Sequence, residues 1–181
     1  MEHQREFLRQ TALFNAIGAA FQRAGIYTKA ATSEARATLR GDLENRLCSL
    51  ESQYQQPVTF QEHFQNIDVL AKELSGIHAR ILKEGRFRIG VAQKALNIYL
   101  KLIWCYGWIP EPPHCPLDSV VLAEIGDLET KWTKMRSIGA YRTAIEAILE
   151  HIRQQAPGKS LSQWELEIWT SKTKGRAQQM R

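Results

Sequence analysis

Apolar residues recur at three- and four-residue spacing along most of this chain, from Phe7 to Trp169, and this pattern constrains the fold more than any other feature. Side chains at that spacing share one face of an α-helix, and another element has to cover each such face. No segment alternates between apolar and polar residues, as the strands of a half-buried sheet do. The sequence therefore predicts an all-α fold, a compact helical bundle of about six to eight helices.

The expected helices begin and end where this spacing meets glycine, proline or a capping residue. The segment 91–105 carries apolar side chains around most of its circumference, so we expect it to be the central helix. The first two helices are expected to form an antiparallel hairpin. In chain order, we expect a helix ending near Gly25, a second opening at 32–34 with Ser33 as its cap, a third from Thr59 to Gly85 with a break near Ser75, the central helix, and later helices at 117–125, 133–155 and 160–169.

Four prolines stand between Pro110 and Pro116, shortly after the central helix. Proline lacks an N–H donor and restricts the residue before it, so residues 108–118, here called the proline connection, cannot form a continuous helix. We expect a stiff, ordered link inside a single domain that spans residues 1–170 and has a hairpin-like core at 75–125. A basic tail at 171–181 is expected to follow that domain.

The composition is that of a folded protein. The chain has 181 residues, of which 44% are hydrophobic and 24% are charged, enough apolar surface to bury one core. The longest strongly apolar stretch, 98–108, is much shorter than the roughly 20 residues that span a bilayer, so we expect no membrane partner. The amino terminus shows no secretory signal, and three cysteines without CxxC spacing fit free thiols in a reducing compartment. We therefore expect a cytoplasmic protein.

The positive charge of the chain is concentrated near its carboxyl end. The net charge is +5, yet residues 1–132 contain 15 Lys and Arg against 15 Asp and Glu, whereas residues 133–181 contain 9 against 4. The last eleven residues carry four cations and no carboxylate. Such a tail suits contact with phosphates or acidic surfaces, and it equally suits a solvated tail that aids solubility.

A short polar turn before the central helix has the features of a phosphate site. Gly85 and Gly90 flank this turn, and we expect the N–H groups of Gly90 to Ala92 to point outward at the positive end of the helix. Nearby cations would add attraction for an anion. The candidate nucleic-acid contacts are Arg86, Arg88, Gly90, Val91, Ala92, Gln93 and Lys94.

The segment GVAQKALNIYL, residues 90–100, resembles the hairpin and following helix of the endonuclease III type of helix-hairpin-helix DNA glycosylases. The agreement lies at Gly90, Val91, Lys94, Asn97 and Leu100, and PLDSVVL looks like the family's segment that holds its essential aspartate. The longer string AQKALNIYLK, followed by WC and PPHCP, is also similar to a glycosylase-like helical domain of phage and bacterial thymine-hypermodification systems.

That resemblance implies a DNA-binding protein that flips a nucleotide out of the duplex. Asp118 would assist cleavage of the glycosidic bond, and Lys94 would correspond to the lysine that forms a Schiff base in the members that also cut the strand. Because no cysteine follows Cys115, the family's iron–sulfur cluster would lack ligands here. We expect no cofactor and no metal.

Several candidate residues keep two interpretations each. Asp118 fits catalysis or a helix cap, Lys94 a Schiff base or a phosphate contact, and Asn97 a substrate contact or a tie within the core. His114 fits acid–base catalysis together with Asp118, or a purely structural role. Tyr106 and Trp108 are candidates for an exposed surface on which bases stack. The resulting hypothesis is DNA glycosylase-like chemistry on a modified or flipped base; the alternative is a non-enzymatic module of a phage or defence system that binds nucleic acid or protein.

Overall fold

Seven α-helices and three single turns of 3-10 helix form the part of the chain that the computed structural model describes, residues 2–179, with side chains described for residues 2–172. Strands are absent from that part, which confirms the predicted all-α fold. None of its helices is long and apolar enough to cross a membrane. The elements are α1 (Glu2–Phe21), α2 (Ser33–Glu51), α3 (Phe60–His78), α4 (Ile89–Cys105), α5 (Ser119–Glu124), α6 (Ile138–Gln155) and α7 (Leu161–Gln179), with 3-10 turns at Ser52–Gln55, Lys83–Gly85 and Trp132–Lys134.

Helix α4 is the centre of the bundle, as its apolar circumference predicts. Twelve of its 17 residues are buried, and helices α1, α2, α3 and α6 and the turn Trp132–Lys134 all contact it. Helix α1 lies antiparallel along α4, because Phe21 meets Phe87 at one end and Arg5 lies over Trp108 at the other. The main partner of α1 is therefore α4, rather than α2 as the expected hairpin would have it.

Two helices begin at threonine caps. The Thr59 side chain accepts a hydrogen bond from the Glu62 N–H, and the Glu62 carboxylate accepts one from the Thr59 N–H, so α3 starts with a capping box where its start is predicted. At α2 the cap is Thr32, which accepts from the Ala35 N–H at 3.2 Å. The assignment of that cap to Ser33 is wrong by one residue.

Helix α3 is shorter than its periodicity predicts. It ends at His78 instead of Gly85, and a separate 3-10 turn follows at Lys83–Gly85. Glu84 and Gly85 both have positive φ, 59° and 64°, a conformation that no right-handed helix can include. The chain therefore changes direction between α3 and α4 over residues 79–88.

The first turns of helix α7 are joined to the bundle by a hydrogen bond and an ion pair. The Ser162 hydroxyl donates to the Pro112 carbonyl at 2.8 Å, and the Lys101 ammonium meets the fully buried Glu165 carboxylate at 2.9 Å. The helix then continues to Gln179, so the boundary expected at residue 170 between a domain and a basic tail lies inside a helix. Residues 180 and 181 of that tail lie outside the described residues.

Candidate functional site

Lys94 and Asp118 meet in the structure although 24 positions separate them in the chain. The Lys94 ammonium lies 3.4 Å from the Asp118 carboxylate, and their side chains are only 11% and 8% exposed. The ring of Trp132 covers the same ammonium, with its centroid 4.2 Å away. The proline connection therefore folds back along α4 and brings together the two residues that the glycosylase resemblance implies for catalysis.

Asp118 is also the cap of α5. One carboxylate oxygen accepts from the N–H groups of Val120 and Val121, at 2.9 and 3.2 Å, and the other faces Lys94. The interpretation of this residue as a helix cap is confirmed, and the same carboxylate also meets Lys94. A catalytic role for Asp118 stays a prediction.

Burial lowers the pKa of the Lys94 amine below its ordinary value of 10.5. The Asp118 carboxylate opposes this effect by attracting the ammonium, while the more distant Lys101 and Arg23 reinforce it. The neutral amine is therefore easier to form here than on an exposed lysine, and a neutral amine is what nucleophilic attack requires.

The N–H groups at the start of α4 are bonded within the chain, and the prediction that they point outward is wrong. The Gly90 N–H donates to the Met135 carbonyl at 3.1 Å, and those of Val91 and Ala92 donate to the Arg88 carbonyl at 3.0 Å each. A Cβ on Gly90 would stand 1.7 Å from the Trp132 carbonyl oxygen. The turn at residues 132–135 therefore covers this helix end, and no phosphate cradle of main-chain amides is open there.

Gln93, expected to contact DNA, is fully buried and ties the proline connection to α4. Its amide nitrogen donates to the Leu117 carbonyl at 2.7 Å, and its amide oxygen accepts from the Leu117 N–H at 3.0 Å. This paired contact mimics a rung of a β-ladder and fixes where the residue next to Asp118 lies.

Asn97 is a tie within the core, which is one of its two predicted roles. Its amide oxygen contacts His63 Nε2 at 2.8 Å, and its amide nitrogen donates to the Tyr141 hydroxyl at 2.9 Å. His63 Nδ1 in turn lies 2.6 Å from the Tyr54 hydroxyl. Because the oxygen of Asn97 can only accept, His63 carries its proton on Nε2 and accepts from Tyr54. A chain of hydrogen bonds thus links four elements through the core.

His114 ends this chain at Tyr141, and within the described residues no hydrogen bond or ion pair joins its imidazole to Asp118. The Tyr141 hydroxyl accepts from Asn97 and lies 3.1 Å from His114 Nδ1. His114 Nε2 has no hydrogen-bond partner among the described residues; the ring centroids of Phe60 and Phe64 lie 4.7 and 4.5 Å from that of the imidazole. Burial, reinforced by His63 and Arg142, lowers the pKa of His114 to about 2, so it stays neutral.

Tyr106 and Trp108 lie at the opposite end of α4, about 18 Å along the helix axis from Lys94. Both are half-buried, and the guanidinium groups of Arg5 and Arg9 stand 4.8 and 5.5 Å from the Trp108 ring. Their side chains therefore do not join Lys94 and Asp118 in one site, and the Trp108 ring faces arginines from α1.

Arg86 and Arg88 line a surface groove of about 310 Å³. Two further cations line it, Lys72 from α3 and Arg136 from the turn before α6, whereas Asp68 is its one acidic lining residue. We call this surface the basic groove. The sequence does not mark Lys72 and Arg136 as members of this groove, because they stand 14 or more positions away from the two arginines and no local pattern connects them.

The candidate residues form two separate sites: Lys94 with Asp118, and Arg86 with Arg88. Among the described residues no three His, Cys, Asp or Glu side chains are grouped to hold a metal ion.

A scan against known protein families finds no match to the chain, and searches of curated proteins and of solved structures find none either. The resemblance to helix-hairpin-helix glycosylases therefore stays a prediction based on the quoted residues.

Proposed function

We propose that this protein binds nucleic acid, in the first instance DNA, and holds the phosphate backbone in the basic groove. The observation that carries the proposal is the convergence of four cations from three segments of the chain on one concave surface with a single acidic lining residue. Guanidinium groups bind phosphate oxygens in bidentate geometry, and such contacts supply most of the affinity for a nucleic-acid backbone.

Arg86 is the cation most available to a ligand. Its side chain is exposed and has no hydrogen-bond or ion-pair partner within the described residues. By comparison, Lys72 is paired with Asp68 at 2.6 Å, and Arg136 is paired with Glu84. A phosphate at Arg86 would therefore gain a contact without breaking one.

Arg88 is half-buried and lines the same groove. Its guanidinium donates to the Ala24 carbonyl, which holds the side chain against the end of α1. Burial lowers the pKa of Arg88; attraction to Glu84 opposes the shift and repulsion from Arg136 adds to it. An anion placed between Arg88 and Arg136 would relieve that repulsion.

The proposal predicts a loss of one phosphate contact in Arg86→Ala. We expect weaker binding to labelled duplex DNA of any sequence, and a slope of log affinity against log salt that is shallower by about 0.9. Fluorescence anisotropy over a series of salt concentrations measures both quantities. Arg153→Ala on α6 is the matched control, because it removes the same charge from an exposed position outside the groove.

Two results would contradict this function. One is the absence of measurable binding at low salt. The other is an equal change of slope in Arg86→Ala and Arg153→Ala, which would mean that the DNA senses only the net charge of the protein.

A second candidate function is glycosylase-like chemistry at Lys94, and the 3.4 Å approach of Lys94 to Asp118 favours it. In this proposal the neutral amine attacks C1′ of a flipped nucleotide as the glycosidic C1′–N bond breaks. The base leaves with the electron pair of that bond and takes up the proton that the amine releases, while the carboxylate stabilises the positive charge that develops on the sugar. Trp132 covers the amine, so the turn at residues 132–135 would have to move aside for the nucleotide to enter.

This second function predicts a covalent product. Borohydride should trap the chain on duplex DNA that contains an abasic site, because it reduces the imine formed by Lys94. Lys94→Arg keeps a cation opposite Asp118 but cannot form an imine, so the trapped band should disappear on a denaturing gel. The nearby exposed Lys134, changed to Met, serves as the control and should leave the band intact; a band that persists in Lys94→Arg would rule the proposal out.

A further inference from the structure

One face of α1 is exposed, free of charge and apolar at its centre. Phe7 and Phe14 are 71% and 77% exposed, and their spacing of seven residues places both rings on the same side of the helix. A soluble chain rarely leaves two large aromatic side chains on one unpartnered face. The opposite face, with Ala12, Leu13, Ala16, Ile17 and Ala20, is buried in the bundle.

The charges of α1 avoid this face. The four charged residues of the helix all lie about 100° or more around its axis from Phe7. No charged residue occurs at all from position 10 to position 22, although 24% of the whole chain is charged. Depletion of charge around aromatic residues is the composition of the buried centre of a protein interface. The residues that share this face, here called the α1 face, are His3, Gln4, Phe7, Gln10, Thr11, Phe14 and Gly18.

The α1 face contains both a projecting aromatic ring and a shallow depression that can receive such a ring. A Cβ placed on Gly18 would find no heavy atom within 4 Å, so the surface above this residue is open. Phe14 and Phe21 flank that opening and, together with Arg40 of α2, whose guanidinium lies 5.0 Å from the centroid of the Phe21 ring, line a shallow depression. A projecting ring and an open glycine on the same face are what a two-fold contact between identical surfaces requires.

We propose that the α1 face binds a second copy of this chain in an antiparallel, two-fold symmetric dimer. In the register that overlaps the two helices over nearly their whole length, residue i lies opposite residue 25 − i of the other copy. Each Phe7 then stands over Gly18 of the other chain, and the two Phe14 side chains lie about one helical turn apart near the two-fold axis. This inference does not depend on the proposed function.

The available area is consistent with a specific dimer. The exposed parts of Phe7 and Phe14 in two copies amount to roughly 600 Å² of apolar surface. The uncharged polar residues of the face then have to supply about as much again to reach the ~1,200 Å² of a specific interface. Glutamine and threonine side chains can pair across such an interface without the cost of burying a charge.

The test is the mass of the full chain in solution as a function of concentration, by sedimentation equilibrium. We expect a dimer that Phe14→Glu weakens by about 100-fold or more, because each substitution occurs twice and buries two like charges near the axis. Ile77→Glu is the control, since Ile77 is 58% exposed on α3, away from the α1 face. Circular dichroism should show that all variants remain folded, because the changed side chains are exposed.

A mixture of charges separates an interface from a general effect of the mutation. Phe14→Glu and Phe14→Lys chains should each be monomeric alone and should form a heterodimer when mixed. A wild-type chain that stays monomeric over the whole range, a dimer that Phe14→Glu leaves intact, or a mixture that does not associate would overturn the proposal.

Discussion

Gly90 lies where α4 approaches the turn at residues 132–135, and only a hydrogen atom fits in the space between them. The Trp132 carbonyl oxygen lies 1.7 Å from where a Cβ on Gly90 would stand, and the Gly90 N–H donates to the Met135 carbonyl. The same turn carries the Trp132 ring over Lys94. The absence of a side chain at Gly90 thus allows the turn that covers Lys94 to lie this close to α4.

Replacing Gly90 with alanine is expected to lower the free energy of unfolding by about 3 kcal/mol, because the added methyl group pushes against backbone rather than against a flexible side chain. Urea unfolding measures the change. Gly41→Ala is the control, and we expect it to change the free energy of unfolding in the opposite direction. Gly41 is inside α2 with no heavy atom near a Cβ, so alanine should raise stability by about 0.5–1 kcal/mol there. Equal stability of Gly90→Ala and the native chain would contradict the close approach.

At the scale of the elements, helix starts are predictable where the deciding residues are local. Thr59 and Glu62 cap α3 within one turn, so the sequence alone locates that start. The end of α3 coincides with a contact to another element, since His78, its last residue, meets Asp42 of α2 at 2.8 Å. Periodicity carries no information about such a contact, and the predicted helix therefore runs seven residues too far.

The candidate sites differ in the same way. The sequence names Lys94 and Asp118 as partners only through a resemblance, since a proline connection can turn in several directions. Their approach depends on the bonds between Gln93 and Leu117. Of the cations that line the basic groove, the sequence predicts Arg86 and Arg88 as nucleic-acid contacts and not the other two, which come from distant segments. No local signal marks the fully buried His63 as a member of the core network.

For the molecule as a whole, two buried histidines make stability depend on pH. Burial lowers the pKa of His63 to about 4 and that of His114 to about 2, against 6.5 in an unfolded chain. Below pH 6.5 both histidines therefore bind protons in the unfolded chain but stay neutral in the folded chain. The stabilising effect of keeping these rings neutral is complete above about pH 7 and is lost as the pH falls.

We expect the free energy of unfolding to fall by about 2–3 kcal/mol between pH 7.5 and pH 5.5, roughly half from each histidine. Urea titrations at a series of pH values measure this slope. His114→Leu should reduce it by about half, whereas substitution of the exposed His3 by Gln should leave it unchanged. A slope that His114→Leu does not alter would mean that other groups titrate in this range.

Each basic groove adjoins the carboxyl end of α1, since Arg88 binds the Ala24 carbonyl. In the proposed antiparallel pair, Phe21 at the end of α1 lies opposite position 4 of the other chain, so the carboxyl ends of the two α1 helices are 17 residues of helical rise apart, about 26 Å along the axis. Two-fold symmetry would thus place the two basic grooves at opposite ends of the paired helices.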